Sequence, residues 1–266
     1  MTARRVGFRT SLGEVSAVCG GGGGAGRCGL FIHGLGCDGS WFAVQAGAFD
    51  MGPLAWLAPD LLGHGCSERP ADPCAYRMES QARALAEVVA ATRSAEVVLV
   101  GHSMGGPIAL RLAEILTRGG GPRVVGLVYA EGNLDEGDAF MSAQVANQDR
   151  EAFLATGWAE LVAELRRDPG MASYLSTLEA AGPLVAHASC ASLVEHSRPE
   201  VTVPLLLGLD CPKLFLFGER NRGRFSSEKL AAGLGTVRFV PDAGHAMYED
   251  NPSAFWALVR DFCATL

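Results

Sequence analysis

The sequence predicts an α/β fold, with a mostly parallel eight-stranded sheet flanked by helices and a helical cap inserted into it. Three observations carry that expectation. Short apolar runs alternate with stretches at helical spacing, the pattern of a parallel sheet covered on both faces. One stretch, from about Gly132 to Leu207, breaks the alternation and reads as helix without a strand. The chain of 266 residues is 48% hydrophobic, enough to bury one sizeable core. The expected division is a core of residues 1–131 and 208–266, with residues 132–207 as the cap.

The elements follow in order. Val6 to Thr10 and Glu14 to Cys19 flank Gly13 and suggest a hairpin. Five glycines, Gly20 to Gly24, then read as a surface turn; a phosphate loop would need a following Lys and Ser or Thr, which are absent. Gly29 to Ile32 and Leu54 to Ala58 read as buried strands, with a helix over Ser40 to Phe49 between them. Arg77 to Thr92 carries Leu85, Val88 and Val89 at helical spacing. Glu96 to Val100 is a central strand by composition, and Pro107 to Arg118 is a helix with Pro in its first turn, where a missing N–H costs little. Val124 to Ala130, Lys213 to Phe217 and Val237 to Val240 are further strands. Pro252 to Cys263 is a final helix. Within the cap, helices are expected over Glu136 to Asn147, Arg150 to Arg167, Ala172 to Ala180 and Leu184 to His196.

Composition narrows the function classes. The net charge is −7, and no basic stripe suggests a nucleic-acid surface. No apolar run approaches the roughly 20 residues of a membrane-spanning helix, and Met1 to Val18 lacks the apolar stretch of a signal peptide. A soluble, cytoplasmic protein without nucleic-acid or membrane partners is expected; oligomeric state is not legible. The eight cysteines are scattered, with no zinc-like spacing, and free thiols are the expected state. Neither a metal nor a nicotinamide or flavin cofactor is implied.

The strongest local signal is Gly101-His102-Ser103-Met104-Gly105-Gly106, a G-x-S-x-G pattern between a strand and a helix. A serine there turns sharply, and its hydroxyl is pushed out above the sheet near the positive end of the next helix. Of six histidines, only His245 follows the last predicted strand, on a loop that can return to the serine. His33 and His64 are expected to bond backbone in their turns, His102 to point into the elbow, and His187 and His196 to face solvent from the cap.

The four segments His33-Gly34-Leu35-Gly36, Asp60-Leu61-Leu62-Gly63-His64-Gly65, the serine motif and Ala243-Gly244-His245 resemble, in that order, the α/β-hydrolase fold superfamily, as a serine-nucleophile, cap-bearing member. The resemblance implies roles. Ser103 would be the nucleophile and His245 the base, with the backbone N–H groups of Leu35 and Met104 as the oxyanion hole. Beside these, His33, Gly34 and His102 are candidate substrate-binding residues next to the motifs, Trp41 by its position just past the oxyanion loop, and Phe140 and Trp158 by the apolar composition of the cap.

The acid departs from the family pattern. It usually follows the seventh strand, where this chain reads Gly218-Glu219-Arg220-Asn221, with Asn221 at the acid's place. An amide there lacks the charge; an Asp-to-Asn change in a serine-protease triad costs about 10⁴ in kcat. Either the acid has moved to Glu131, after the strand Val124 to Ala130, as in certain haloalkane dehalogenases, or the triad has decayed. Relocation to Glu131 is the preferred reading, and Glu219 is a weaker candidate. Serine at the elbow disfavours dehalogenase or epoxide hydrolase chemistry, which uses Asp there. The expectation is a carboxylesterase-like serine hydrolase acting on a small, partly apolar ester, lactone or thioester. Two alternatives stand beside it: a C–C bond hydrolase or cofactor-free lyase on the same residues, and a non-catalytic small-molecule-binding protein, motivated by Asn221.

Overall fold

The computed structural model describes residues 3–21, 26–46 and 54–266. The glycines Gly22 to Gly24 and the predicted end of the first helix, Gly47 to Phe49, lie outside the described residues.

Eight strands form one sheet in the order β1-β2-β4-β3-β5-β6-β7-β8. β1 (Arg4–Thr10) and β2 (Gly13–Gly20) are the predicted hairpin, and β2 also runs antiparallel to β4 (Ala55–Pro59). The remaining pairings are parallel, through β3 (Arg27–Ile32), β5 (Glu96–His102), β6 (Arg123–Ala130), β7 (Lys213–Gly218) and β8 (Thr236–Val240). Helix α1 (Ser40–Ala46) follows β3, α2 (Met78–Thr92) follows β4, and α3 (Gly105–Gly119) follows β5. Between β6 and β7 the chain forms α4 (Phe140–Ala146), α5 (Arg150–Ala152), a π-helical turn Phe153–Gly157, α6 (Trp158–Leu165), α7 (Ala172–Ala181), α8 (Pro183–His196) and α9 (Pro199–Leu207). Helices α10 (Ser227–Ala232), α11 (Met247–Asp250) and α12 (Pro252–Ala264) complete the chain.

Alternation along the strands sends side chains to two cores, since successive residues point to opposite faces. Leu99 joins Leu30, Ile32, Leu127 and Phe215 against Leu85, Val89, Ile108 and Leu112 of α2 and α3. Its neighbours Val98 and Val100 join Phe31, Val128 and Leu216 against Phe42, Phe255, Trp256 and Val259. A Leu-rich layer therefore lies on one face and an aromatic-rich layer on the other, with Phe31 edge-on to Trp256 at 5.2 Å.

The helices after β6 are tied to this frame. Ser227 Oγ of α10 donates to Asp138 (2.7 Å), and within the segment Thr202 Oγ1 of α9 donates to the Leu134 carbonyl (2.8 Å). His187 and His196, expected to face solvent, are instead buried. His187 pairs with the Gln148 carbonyl (3.0 Å), and His196 lies 2.9 Å from Glu79 of α2. Both occupy the inner face of α8, which packs on α2 and α4; apolar periodicity alone does not reveal that these polar side chains face inward. All eight cysteines are free thiols. Among the described residues no helix is long and apolar enough to cross a membrane.

Candidate active site

The C-terminal ends of β3, β5, β6 and β7 lie side by side, the edge where open α/β sheets gather ligand sites. Two residues at this edge take left-handed backbone angles that side chains rarely adopt: Ser103 (φ 52°) and Glu131 (φ 38°). Such conformations cost about 1–3 kcal/mol each and persist where the surroundings enforce them. Here the enforcement is visible. Ser103 N–H donates to the Ala130 carbonyl (3.0 Å), and Glu131 N–H donates to the Leu216 carbonyl (2.8 Å). The bend at each strand end thus turns its side chain above the sheet.

The elbow requires glycine where α3 crosses under β3. A Cβ on Gly105 would strike the Ile32 carbonyl, and one on Gly101 would strike the Gly105 carbonyl. Gly34 passes over the serine: a Cβ there would sit 3.1 Å from Ser103 Cβ and 3.3 Å from His102 Nδ1.

Glu131 is buried and accepts at both oxygens. Oε1 takes the Gly218 N–H (2.7 Å) and the Asn221 amide (3.0 Å); Oε2 takes the same amide (3.1 Å) and His245 Nδ1–H (2.7 Å). His245, half-exposed, therefore presents Nε2 as its free nitrogen. Asn221 occupies the place expected of an acid, and there it donates to the carboxylate on the neighbouring strand. That role was not legible in the sequence, where the amide read only as a vacancy. Glu219 is exposed.

The loop that carries His245 is braced from two sides. His102 Nε2–H donates to the His245 carbonyl (2.9 Å), and the two rings meet tilted by 45° with centroids 4.7 Å apart. Arg220 N–H donates to the Ala243 carbonyl (2.9 Å), while Asp250 accepts from Gly244 N–H (2.8 Å) and from Arg220 (2.7 Å). Burial, and then the neighbouring His245, hold the His102 imidazole well below its ordinary pKa. Among the described residues Ser103 Oγ has no hydrogen bond, so the serine and His245 are not joined in the free protein. Such bonds are commonly long without substrate and tighten when it binds.

The loop after β3 is held as firmly. His33 Nδ1–H donates to the Gly34 carbonyl (2.7 Å), and Nε2 accepts from Leu61 N–H (2.9 Å). His64 Nε2 accepts from Gly36 N–H (3.4 Å), and Asp60 accepts from Gly39 N–H (2.8 Å). Both histidines bond backbone as expected. Burial lowers the pKa of each, that of His64 to about 3. The N–H groups of Leu35 and Met104 donate to no acceptor among the described residues, and Met104 opens α3. Trp41 is half-buried, edge-on to Tyr248 (6.2 Å), which is itself edge-on to His102 (4.8 Å). Phe140 is 66% exposed, and Trp158 packs on Phe153 (6.2 Å) within the helices after β6. Tyr248 was missed because the short α11 carries no periodic signal.

Comparison with known proteins agrees with this architecture. The chain matches an uncharacterized protein of Mycobacterium tuberculosis at 30% identity over 131 residues, 45% of this chain and 37% of that relative. It matches the chloroplastic protein PHYLLO of Arabidopsis thaliana at 24% identity, over 89% of this chain and 15% of that protein. The chain thus spans well under half the length of these relatives. Among solved structures, the N-acyl homoserine lactonase AidH complexed with N-hexanoyl homoserine superposes with TM-score 0.76 at 21% identity, covering 98% of this chain and 96% of the other. A thermophilic esterase from Thermogutta terrifontis gives 0.72 at 23%, covering 99% of both chains. The epoxide hydrolase CorEH gives 0.71 at 18%, again covering 99% of both. At these identities the likeness speaks for the fold. A family model described as the alpha/beta hydrolase family matches residues 30–258, and the chain belongs to that family.

Proposed function

We propose that this protein is a serine hydrolase that cleaves a carboxylic ester, lactone or thioester through an acyl-enzyme on Ser103. The observation that carries this reading is the 2.7 Å contact between His245 Nδ1 and the buried Glu131 carboxylate. It gives the imidazole a fixed tautomer and leaves Nε2 free to take a proton, which is the work of the acid in a triad.

In this reading Ser103 Oγ attacks the carbonyl carbon while its proton passes to His245 Nε2. The carbonyl π pair moves onto oxygen, which accepts from the Leu35 and Met104 N–H groups. Donors of this kind are each worth about 3 kcal/mol in the transition state. The tetrahedral centre then collapses, the bond to the leaving alkoxide or thiolate breaks, and His245 returns its proton to that group. Water repeats the sequence against the acyl-enzyme, with His245 again the base, and releases the acid. Glu131 stabilises the imidazolium formed in each half.

Residues 132–207 act as the cap over this site in the same reading, with their apolar side chains favouring a partly apolar acyl group. The non-catalytic alternative was motivated by Asn221, and the donation of its amide to Glu131 supports the catalytic reading instead. The test is turnover across a panel of simple esters, lactones and thioesters. Hydrolysis that disappears in Ser103→Ala supports the proposal; hydrolysis that persists in that variant overturns it.

A further inference from the structure

The chain has four tyrosines. Two donate to backbone carbonyls, Tyr76 to Pro70 and Tyr129 to Asn133. The other two stand at the loops that hold the candidate catalytic groups. Tyr248 lies edge-on to His102 at 4.8 Å. Tyr174, on α7, reaches down onto Gly36, next to Leu35. A Cβ built on Gly36 would meet Tyr174 Cε2 at 3.1 Å and Leu178 Cδ1 at 2.8 Å. Cε2 is one bond from the carbon that bears the hydroxyl, so the polar end of the ring lies over the loop. Gly36 itself takes φ +69°. The lack of a side chain there is what lets α7 come this close.

The Tyr174 hydroxyl donates to no protein acceptor among the described residues. The residue is half-buried, so this hydroxyl is open to solvent or to a ligand, and a phenol at such a boundary is suited to donate to either. The groups that act on Tyr174 are neutral. The ionisable groups close enough to act on Tyr174 are the thiols of Cys37 and Cys190, each pushed by burial to about 12. Those acting on Tyr248 are Cys37, Tyr174 and the carboxylate of Glu249. No arginine or lysine is among them. An anionic substrate group would be desolvated here without a counter-charge, which is strongly unfavourable. A neutral acceptor would satisfy the phenol at no such cost.

We propose that Tyr174 is a specificity-determining residue, and that the substrate is an uncharged acyl compound with a second hydrogen-bond acceptor, a keto, amide or ether oxygen, close to the scissile carbonyl. This rests on the serine hydrolase reading. Tyr174 would donate to that second oxygen while Leu35 and Met104 hold the first. A site built to hydrogen-bond a substrate group discriminates against the analogue that lacks it.

The test compares methyl hexanoate, methyl 3-oxohexanoate and the monomethyl ester of adipic acid, followed by proton release. The 3-oxo ester is expected to exceed the plain ester at least tenfold in kcat/KM, and the adipate monoester to be the poorest. In Tyr174→Phe, which keeps the ring against Gly36 and Leu178, the ratio of 3-oxo to plain ester is expected to fall to about one. Turnover of the plain ester with a ratio that Tyr174→Phe leaves unchanged overturns this proposal while the hydrolase reading stands. Preference for the adipate monoester overturns it too. If no ester is turned over and Ser103 proves unreactive, the hydrolase reading fails and takes this proposal with it.

Discussion

The Asn221 amide donates to both oxygens of the Glu131 carboxylate, at 3.0 and 3.1 Å, from the strand end where the family's acid usually stands. The carboxylate and its support have exchanged strands: β6 carries the charge and β7 carries the donor. Glu131→Gln is therefore expected to lower kcat at least a hundredfold, since the amide keeps the shape and loses the charge that stabilises the imidazolium. Asn221→Ala should cost much less, on the order of tenfold, as the Gly218 N–H still holds the carboxylate. Asn221→Asp sets a second carboxylate beside Glu131 and His245. Like charge raises the carboxylates, and added negative charge raises the imidazole, so both shifts move the acidic limb of the pH–rate profile to higher pH. Steady-state rates across pH check all three.

His102, next to Ser103, is tied to the backbone of His245 through Nε2–H and the His245 carbonyl at 2.9 Å. Loss of this bond frees the loop that carries the imidazole. His102→Phe is expected to lower kcat about tenfold, the equivalent of one hydrogen bond of about 1.4 kcal/mol. His102→Gln can still donate to that carbonyl and should recover most of the rate. Equal losses in the two variants would show that packing, and not the donor, matters at this position.

The buried histidines set the acid limit of stability. His64 titrates at about 3 in the folded chain because burial disfavours its charged form, and His33 is lowered for the same reason. The unfolded imidazole titrates near 6.5. A depressed histidine contributes stability that is complete above the unfolded pKa and is lost as pH falls toward the folded one. For His64 alone, with about 1.4 kcal/mol per pH unit, the loss at pH 5 is about 2 kcal/mol relative to pH 7. Urea unfolding at pH 7, 6 and 5 is expected to show this decline, and a shallower one in His64→Gln.

The sequence carried the sheet because its central strands announce themselves by an apolar run closed by a turn, as in Glu96–His102 and Lys213–Gly218. It carried Ser103 and His245 as candidates because both lie at strand-to-helix turns with local motifs. It favoured Glu131 from the vacancy at Asn221 and from its place after the strand Val124 to Ala130, not from any visible partner. The contact between Glu131 and Asn221 joins residues 90 positions apart, and no local pattern encodes a side-chain bond across two strand ends. The burial of His187 and His196 was illegible for a related reason, since a polar residue on a helix shows its orientation only once its partners, the Gln148 carbonyl and Glu79, are in place. Helix α9 and the short α10 and α11 went unassigned; α9 contains Pro204, and the other two are too short for helical periodicity to show.

The central claim is that Ser103 is an activated nucleophile facing a formed oxyanion site. The most direct measurement is reaction of the folded protein with a fluorophosphonate, with the adduct located by mass spectrometry. A single adduct on Ser103 is predicted, absent in Ser103→Ala and slower to form in Glu131→Gln. A protein that is folded by circular dichroism yet unlabelled, or labelled elsewhere, would contradict the account.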